Sequence, residues 1–326
     1  MKSDYMFTSE SVTEGHPDKL CDQISDAILA SCLRQDRMAS VIAECAVSTG
    51  IVFVAARVSA NVSVDIPATA REVIARAGYQ QNGFDVRNCT VMTNVTDLLP
   101  SDNRPPEETL TDDQLDELVV QDQATVFGYA CDHTSVLMPL PILLSHKLAR
   151  QTSEVRRQSE LPYLAPDAKT QVGVEYRNGR PLRVHSISIV ASQLHNDSVN
   201  PQQLTDDLVE FVIQPVFEDE EVKTDSQTKY FINPAGPVVG GGPALHSGMT
   251  GRKTAVDTYG DYSRCGASAL SGKDPDRIDR VGAYAARHAA KNVVAAGLAS
   301  QCEIQLSYTI GLAKPVSVQV ETYGTG

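Results

Sequence analysis

Two pairs of apolar runs, each broken by a short turn sequence, constrain the fold of this chain most. Residues 41–47 and 51–58 flank Ser48-Thr49-Gly50, and residues 169–176 and 182–191 flank Arg177-Asn178-Gly179-Arg180. Strand-length runs rejoined within a few residues are antiparallel hairpins, and Asn-Gly tolerates the left-handed backbone that a tight hairpin turn requires. Between the hairpins the apolar period changes. Leu20, Ile24, Ala27, Ile28 and Leu33 recur at helical spacing behind Pro17, which predicts a helix over 17–33 opened by a first-turn proline. Further helices are expected over 68–78, 142–160, 201–213 and 281–298, with strands over 88–95, 302–310 and 315–323. Pro139 and Pro141 are read as excluding helix before Ile142. Each of three successive blocks therefore mixes strands with helices in α+β fashion, without strict βαβ alternation.

The 326 residues suffice for two or three domains. The longest purely apolar run is Ile51 to Ala56, far short of the ~18 residues that span a bilayer, so no membrane association is expected. The N-terminal residues lack the apolar core of a signal peptide. The net charge is −13, a field that repels nucleic acid and anionic lipid. The 7 cysteines include no Cys-x-x-Cys pair, which argues against a disulfide framework or zinc ribbon and for a reducing, cytoplasmic setting.

Four clusters oppose the global acidity. Gly15-His16-Pro17-Asp18-Lys19 opens a helix, whose free N–H groups and positive dipole end suit phosphate. Asp167 and Lys169 alternate along a strand and share one face. Gly248-Met249-Thr250-Gly251-Arg252-Lys253 sets two cations behind flexible glycines, and Ser271-Gly272-Lys273-Asp274 with Asp279 repeats the theme before a helix. Singly, each is as well explained by an ordinary cap, ion pair or turn. Together, in an acidic chain, they read as a magnesium–polyphosphate site, with Asp18 and Asp279 the candidate Mg²⁺ ligands. No Walker loop, dinucleotide glycine fingerprint, nucleophile elbow or zinc helix is present. Residues 96–118, proline-rich and then acidic, fit either a solvated linker or a lid.

With these motifs in hand, the chain resembles the S-adenosylmethionine synthetase (methionine adenosyltransferase) family. The resemblance rests on Phe7-Thr8-Ser9-Glu10-Ser11-Val12-Thr13-Glu14-Gly15-His16-Pro17-Asp18-Lys19, on Phe127-Gly128-Tyr129-Ala130, and on the segments 136–139, 166–172, 250–259 and 271–274. It implies an α/β fold of three similar domains in pseudo-threefold arrangement, each a mixed sheet packed with helices. The boundaries expected are 1–95, a gating loop at 96–118, 119–229 and 230–326, with partly discontinuous segments. It also implies the reaction: the methionine sulfur attacks C5′ of ATP, and tripolyphosphate leaves and is hydrolysed. A neutral thioether needs no general base, so positioning and charge neutralisation are the task. Carried over by motif, His16, Lys169, Arg252, Lys253 and Lys273 hold the triphosphate. Asp122, Asp167 and Ala269 complete the ATP site, Asp18 and Asp279 take two Mg²⁺, and Glu44 takes K⁺. The partners implied are ATP, a thioether amino acid, and further copies of the chain in a dimer or dimer of dimers with sites at the interface.

The amino-acid pocket departs from the family pattern. Arg57 and His246 stand where the family places acids, Leu98 near its lid glutamine, and Val238 where a phenylalanine stacks on adenine; Arg277 completes the pocket. Reversing one charge ~4 Å from an ammonium, at an effective dielectric of ~20, is worth several kcal/mol. The sequence ends at Gly324-Thr325-Gly326, where family members usually continue, so a smaller third domain or one completed by a partner is expected. Two alternatives stay open at this level: the same transfer on another thioether or nucleotide, or a non-catalytic or complementing subunit.

Overall fold

A computed structural model describes residues 4–59, 62–80, 83–98, 110–195 and 199–326. In chain order the elements are β1 (Tyr5–Val12), α1 (Pro17–Gln35), β2 (Val41–Ser48), β3 (Ile51–Ser59), α2 (Ile66–Ala77), β4 (Thr90–Leu98), α3 (Asp112–Asp116), β5 (Ala124–Cys131) and α4 (Leu140–Arg157). There follow β6 (Leu164–Arg177), β7 (Arg180–Gln193), α5 (Pro201–Leu208), α6 (Gln214–Phe217), β8 (Lys229–Ile232), β9 (Val238–Val239), β10 (Gly248–Met249), α7 (Thr254–Asp257), α8 (Ile278–Ala295), β11 (Gln301–Tyr308) and β12 (Ser317–Glu321).

Both expected hairpins form. β2 and β3 pair antiparallel from Val41↔Val58 to Ser48↔Ile51. At the turn between β6 and β7, Asn178 and Gly179 have φ of 50° and 75°, the left-handed pair of a type I′ turn. The helix at 201 begins as expected, but a π-helical stretch, Val209–Ile213, separates α5 from α6. Helix α4 starts at Leu140, two residues before the expected limit, with Pro141 inside its first turn. A first-turn proline has no hydrogen bond to lose, so it is tolerated there. Of the loop expected at 96–118, residues 99–109 lie outside the described residues; 96–98 instead end β4, and α3 begins behind a Thr111–Gln114 capping box.

The described residues form three sheets, and these do not follow the consecutive blocks. β1 pairs antiparallel with β6, in a sheet of order β1-β6-β7-β8 with β9 also on β7. The order β10-β2-β3-β4 brings Met249 opposite Ala46. The third sheet, β12-β11-β5, joins Ala130 to Cys302. Each sheet packs one face against helices. Leu20, Ile24 and Ile28 of α1 bury against Val41, Ala43 and Cys45. Leu144 and Leu148 of α4 bury against Val172 and Val174. Ala286 and Ala290 of α8 lie over β5. There a side chain on Gly128 would sit 2.0 Å from the Ala286 backbone, so the small residue sets that close approach. Full burial of one such Leu or Ile side chain stabilises by ~1.5–3 kcal/mol, so these faces carry the fold. The opposite face of the second sheet is open: Phe53, opposite Met92, is 42% exposed and Met92 51%. No helix among the described residues is long and apolar enough to cross a membrane.

Candidate active site

The N-terminus of α1 gathers four of the expected residues. His16 is its N-cap, and its Nδ1 accepts the Asp18 N–H at 3.2 Å. β10 lies on this first turn: the Met249 N–H donates to Asp18 Oδ1 at 3.0 Å. A side chain on Gly248 would stand 2.2 Å from the Pro17 carbonyl carbon, so only glycine permits this approach. Thr250 anchors the loop, its Oγ1 2.8 Å from Ser25 Oγ and 2.9 Å from the Cys45 N–H. Beyond Gly251, Arg252 Nε and Lys253 Nζ then reach Asp18 at 3.6 and 3.4 Å. Lys19 faces elsewhere, bonded to Asp22 at 2.9 Å and to Asp257.

Asp167 enters the cluster from β6, within a register shift between Leu164 and Ala168 in its pairing with β7. Its Oδ2 accepts the Gly242 N–H at 2.8 Å and lies 2.9 Å from His246 Nε2. Burial pushes its carboxyl up, but the bonds from His246 and Gly242 outweigh burial and hold it below the usual range. The His246 ring stands edge-on to that of His16, centroids 5.0 Å apart. Burial lowers His16 to about 4, against the opposing pull of Asp167 and Asp18, so its imidazole is neutral near pH 7. Because Nδ1 accepts a backbone N–H, the neutral ring carries its proton on Nε2, a donor with no partner among the described residues. Asp167 Oδ1 is likewise buried and unpartnered. Lys169, two residues further along β6, is exposed opposite Val12.

A second group forms around Lys273, whose Nζ is 2.8 Å from Asp279 Oδ2. Gly272, at φ 75°, accepts the Ala43 N–H, and Asp274 Oδ2 accepts that of Val41 at 2.7 Å. This pins the segment to β2. Arg277 Nε is 3.5 Å from Asp274, and both line one recess with Asp122 and Ser40. Among the described residues, no hydrogen bond or ion pair joins Lys273 or Asp279 to His16, Asp18, Asp167, Arg252 or Lys253. Ala269 packs against Gly251, where a side chain would stand 2.5 Å from its Cβ. Glu44 and Arg57 are exposed on the open face of the second sheet, opposite Ala55 and Ile42. Leu98 closes β4 opposite Ser59.

Sequence reasoning placed His246 as a pocket substitution but missed its bond to Asp167, 79 residues away. It also missed the Gly242 N–H as the third party. The positive-φ run Gly240, Gly241 and Gly242 was the available signal. A side chain on Gly242 would overlap Tyr79 Oη.

Three family models match: the S-adenosylmethionine synthetase N-terminal domain over residues 4–99, its central domain over 117–238 and its C-terminal domain over 240–326. The S-adenosylmethionine synthase of Gloeothece citriformis is 47% identical, aligned over 99% of this chain and 80% of its own length. That of Microcystis aeruginosa is 48% identical over 100% and 82%, and that of Rippkaea orientalis 46% over 100% and 81%.

Proposed function

The chain belongs to the S-adenosylmethionine synthetase family, and on that footing we propose that it is a methionine adenosyltransferase. The reaction joins the thioether of L-methionine to C5′ of ATP, releasing tripolyphosphate that is cleaved to phosphate and diphosphate. The observation that carries this reading is the convergence of His16, Asp18, Arg252 and Lys253 on the first turn of α1.

As the C5′–O bond breaks, negative charge grows on the leaving phosphate oxygens. The His16 Nε2–H, the Arg252 and Lys253 cations and the positive dipole end of α1 all stabilise that charge more in the transition state than in bound ATP. Lys169 and Lys273 extend the cationic rim, Asp122 and Ala269 border the nucleotide, and Asp167 accepts a hydrogen bond from it. Arg57, Leu98, His246 and Arg277 border the amino acid. Asp18 Oδ2 has no hydrogen bond among the described residues, its nearest cation being Lys253 at 3.4 Å, so it keeps lone pairs for an ion. Asp18 and Asp279 are hard oxygen donors suited to two Mg²⁺, and the exposed Glu44 to K⁺. Bound Mg²⁺ neutralises charge on the triphosphate.

The open face carrying Ile51, Phe53 and Met92 is proposed to pair with a second copy, closing the site across a homodimer interface. The segment 96–118 is proposed as the gating loop, and a cytoplasmic location fits the free thiols. The test is mass spectrometry of the protein incubated with Mg-ATP, potassium and L-methionine. S-adenosylmethionine with equimolar phosphate and diphosphate is expected. Its absence from folded, dimeric protein would overturn the assignment.

A further inference from the structure

Three donor groups from distant parts of the chain meet beside α1: the rings of His16 and His246 and the carboxylate of Asp167. One ligand atom from each lies within 4.8 Å of the others. Tetrahedral donors about 2.0–2.2 Å from a common ion lie ~3.3–3.6 Å apart, so small side-chain rotations close the three onto one ion. A second, independent observation marks the same point. His16 Nε2 and Asp167 Oδ1 are both buried without a hydrogen-bond partner among the described residues, on side chains 3% and 6% exposed. Two orphaned polar atoms in adjoining side chains are what a missing ligand between them leaves.

We propose that His16, Asp167 and His246 form a binding site for one zinc-class divalent ion. Two imidazole nitrogens and one carboxylate select Zn²⁺, Co²⁺ or Ni²⁺ over Mg²⁺, which prefers oxygen alone. The site thus differs in chemistry from the Asp18 and Asp279 carboxylates. A fourth position stays open to water or a phosphate oxygen. The protons balance without loss from either ring. Ligation through His16 Nε2 moves its proton to Nδ1, which then gives up the Asp18 N–H it accepts at 3.2 Å and turns to Asp18 Oδ2, 3.8 Å away, the carboxylate backing common behind metal-bound histidine. Ligation through His246 Nε2 moves that ring's proton to Nδ1, and the ion replaces the hydrogen bond to Asp167. Since His16 also serves the nucleotide, ion and ATP compete; that consequence rests on the proposed function, whereas ion binding itself does not.

The test is a Co²⁺ titration of the full chain with Mg²⁺ in excess and no nucleotide, read by visible absorption, followed by back-titration with Zn²⁺. One equivalent of Co²⁺ with strong visible bands, displaced by Zn²⁺, is expected. His246→Phe and Asp167→Asn should each weaken binding by at least ~10-fold, with unchanged circular dichroism, and His246→Asn guards against a packing effect of the larger ring. Absence of Co²⁺ uptake by the folded protein would overturn the proposal. So would near-ultraviolet thiolate bands, which place the ion on a cysteine, or binding indifferent to the His246 variants. Displacement of Co²⁺ by ATP supports the competition. Retention of Co²⁺ under ATP leaves the metal site standing and removes His16 from the nucleotide site.

Discussion

Asp167 Oδ2 lies 2.9 Å from His246 Nε2 and 2.8 Å from the Gly242 amide, so one buried carboxylate ties β6 to the loop that leads into β10. Asp167→Ala removes the acceptor from both donors and leaves the Gly242 N–H buried and unpaired. The expected loss is ~1–3 kcal/mol of unfolding free energy, read from the urea midpoint. An unchanged midpoint would mean that other contacts hold the loop.

Lys169 is exposed, and its removal should leave the fold intact. Lys169→Ala should lower turnover by ~10²–10³, the usual cost of one charge-stabilising donor, with unchanged circular dichroism. A loss under ~3-fold would remove it from the leaving-group site.

Gly248→Ala places a methyl group 2.2 Å from the Pro17 carbonyl carbon. β10 must then lift from α1, which carries Arg252 and Lys253 away from Asp18. A stability loss of ~1–3 kcal/mol, typical of overpacking, should accompany a fall in turnover. Thermal unfolding and steady-state rates measured on the same preparation check both.

Burial lowers His133 and His146 from 6.5 to about 4. Both are therefore neutral in the folded chain under conditions where the unfolded chain binds protons. Stability should be full above pH 6.5 and fall as the pH drops toward 4. His133 packs beside the rings of Tyr176 and Tyr262, at 5.5 and 5.6 Å, so His133→Phe should flatten part of that slope. Equilibrium unfolding at stepped pH would show it, and an identical slope in the variant would exclude His133 as a source.

Much of the local structure was legible in the sequence because its causes lie within a few residues. Asn178-Gly179 dictates its own turn, Pro17 and His16 open α1, and the alternation in 41–58 sets the hairpin. α4 starts before the expected limit; Pro141 reads as a breaker until its place in the first turn is known. The sequence pattern marks no strand at β1, and it reads β8 as the start of a third block although β8 pairs with β7, because strand partners distant in sequence leave no local mark.

The candidate site divides the same way. The residue types of the phosphate half, His16, Asp18, Arg252 and Lys253, follow from motifs, since polyphosphate chemistry demands cations, glycines and a helix terminus in a recognisable order. Their convergence does not. Only tertiary structure brings residue 249 onto residue 18, or His246 onto Asp167, because a two-residue strand such as β10 finds its partner by packing across more than 200 residues rather than by its own pattern. Motifs and local periodicity suffice for the family, the hairpins and the inventory of charges. Which charges meet is set by the packed fold, because direct hydrogen bonds and ion pairs depend on distances that no spacing along the chain records.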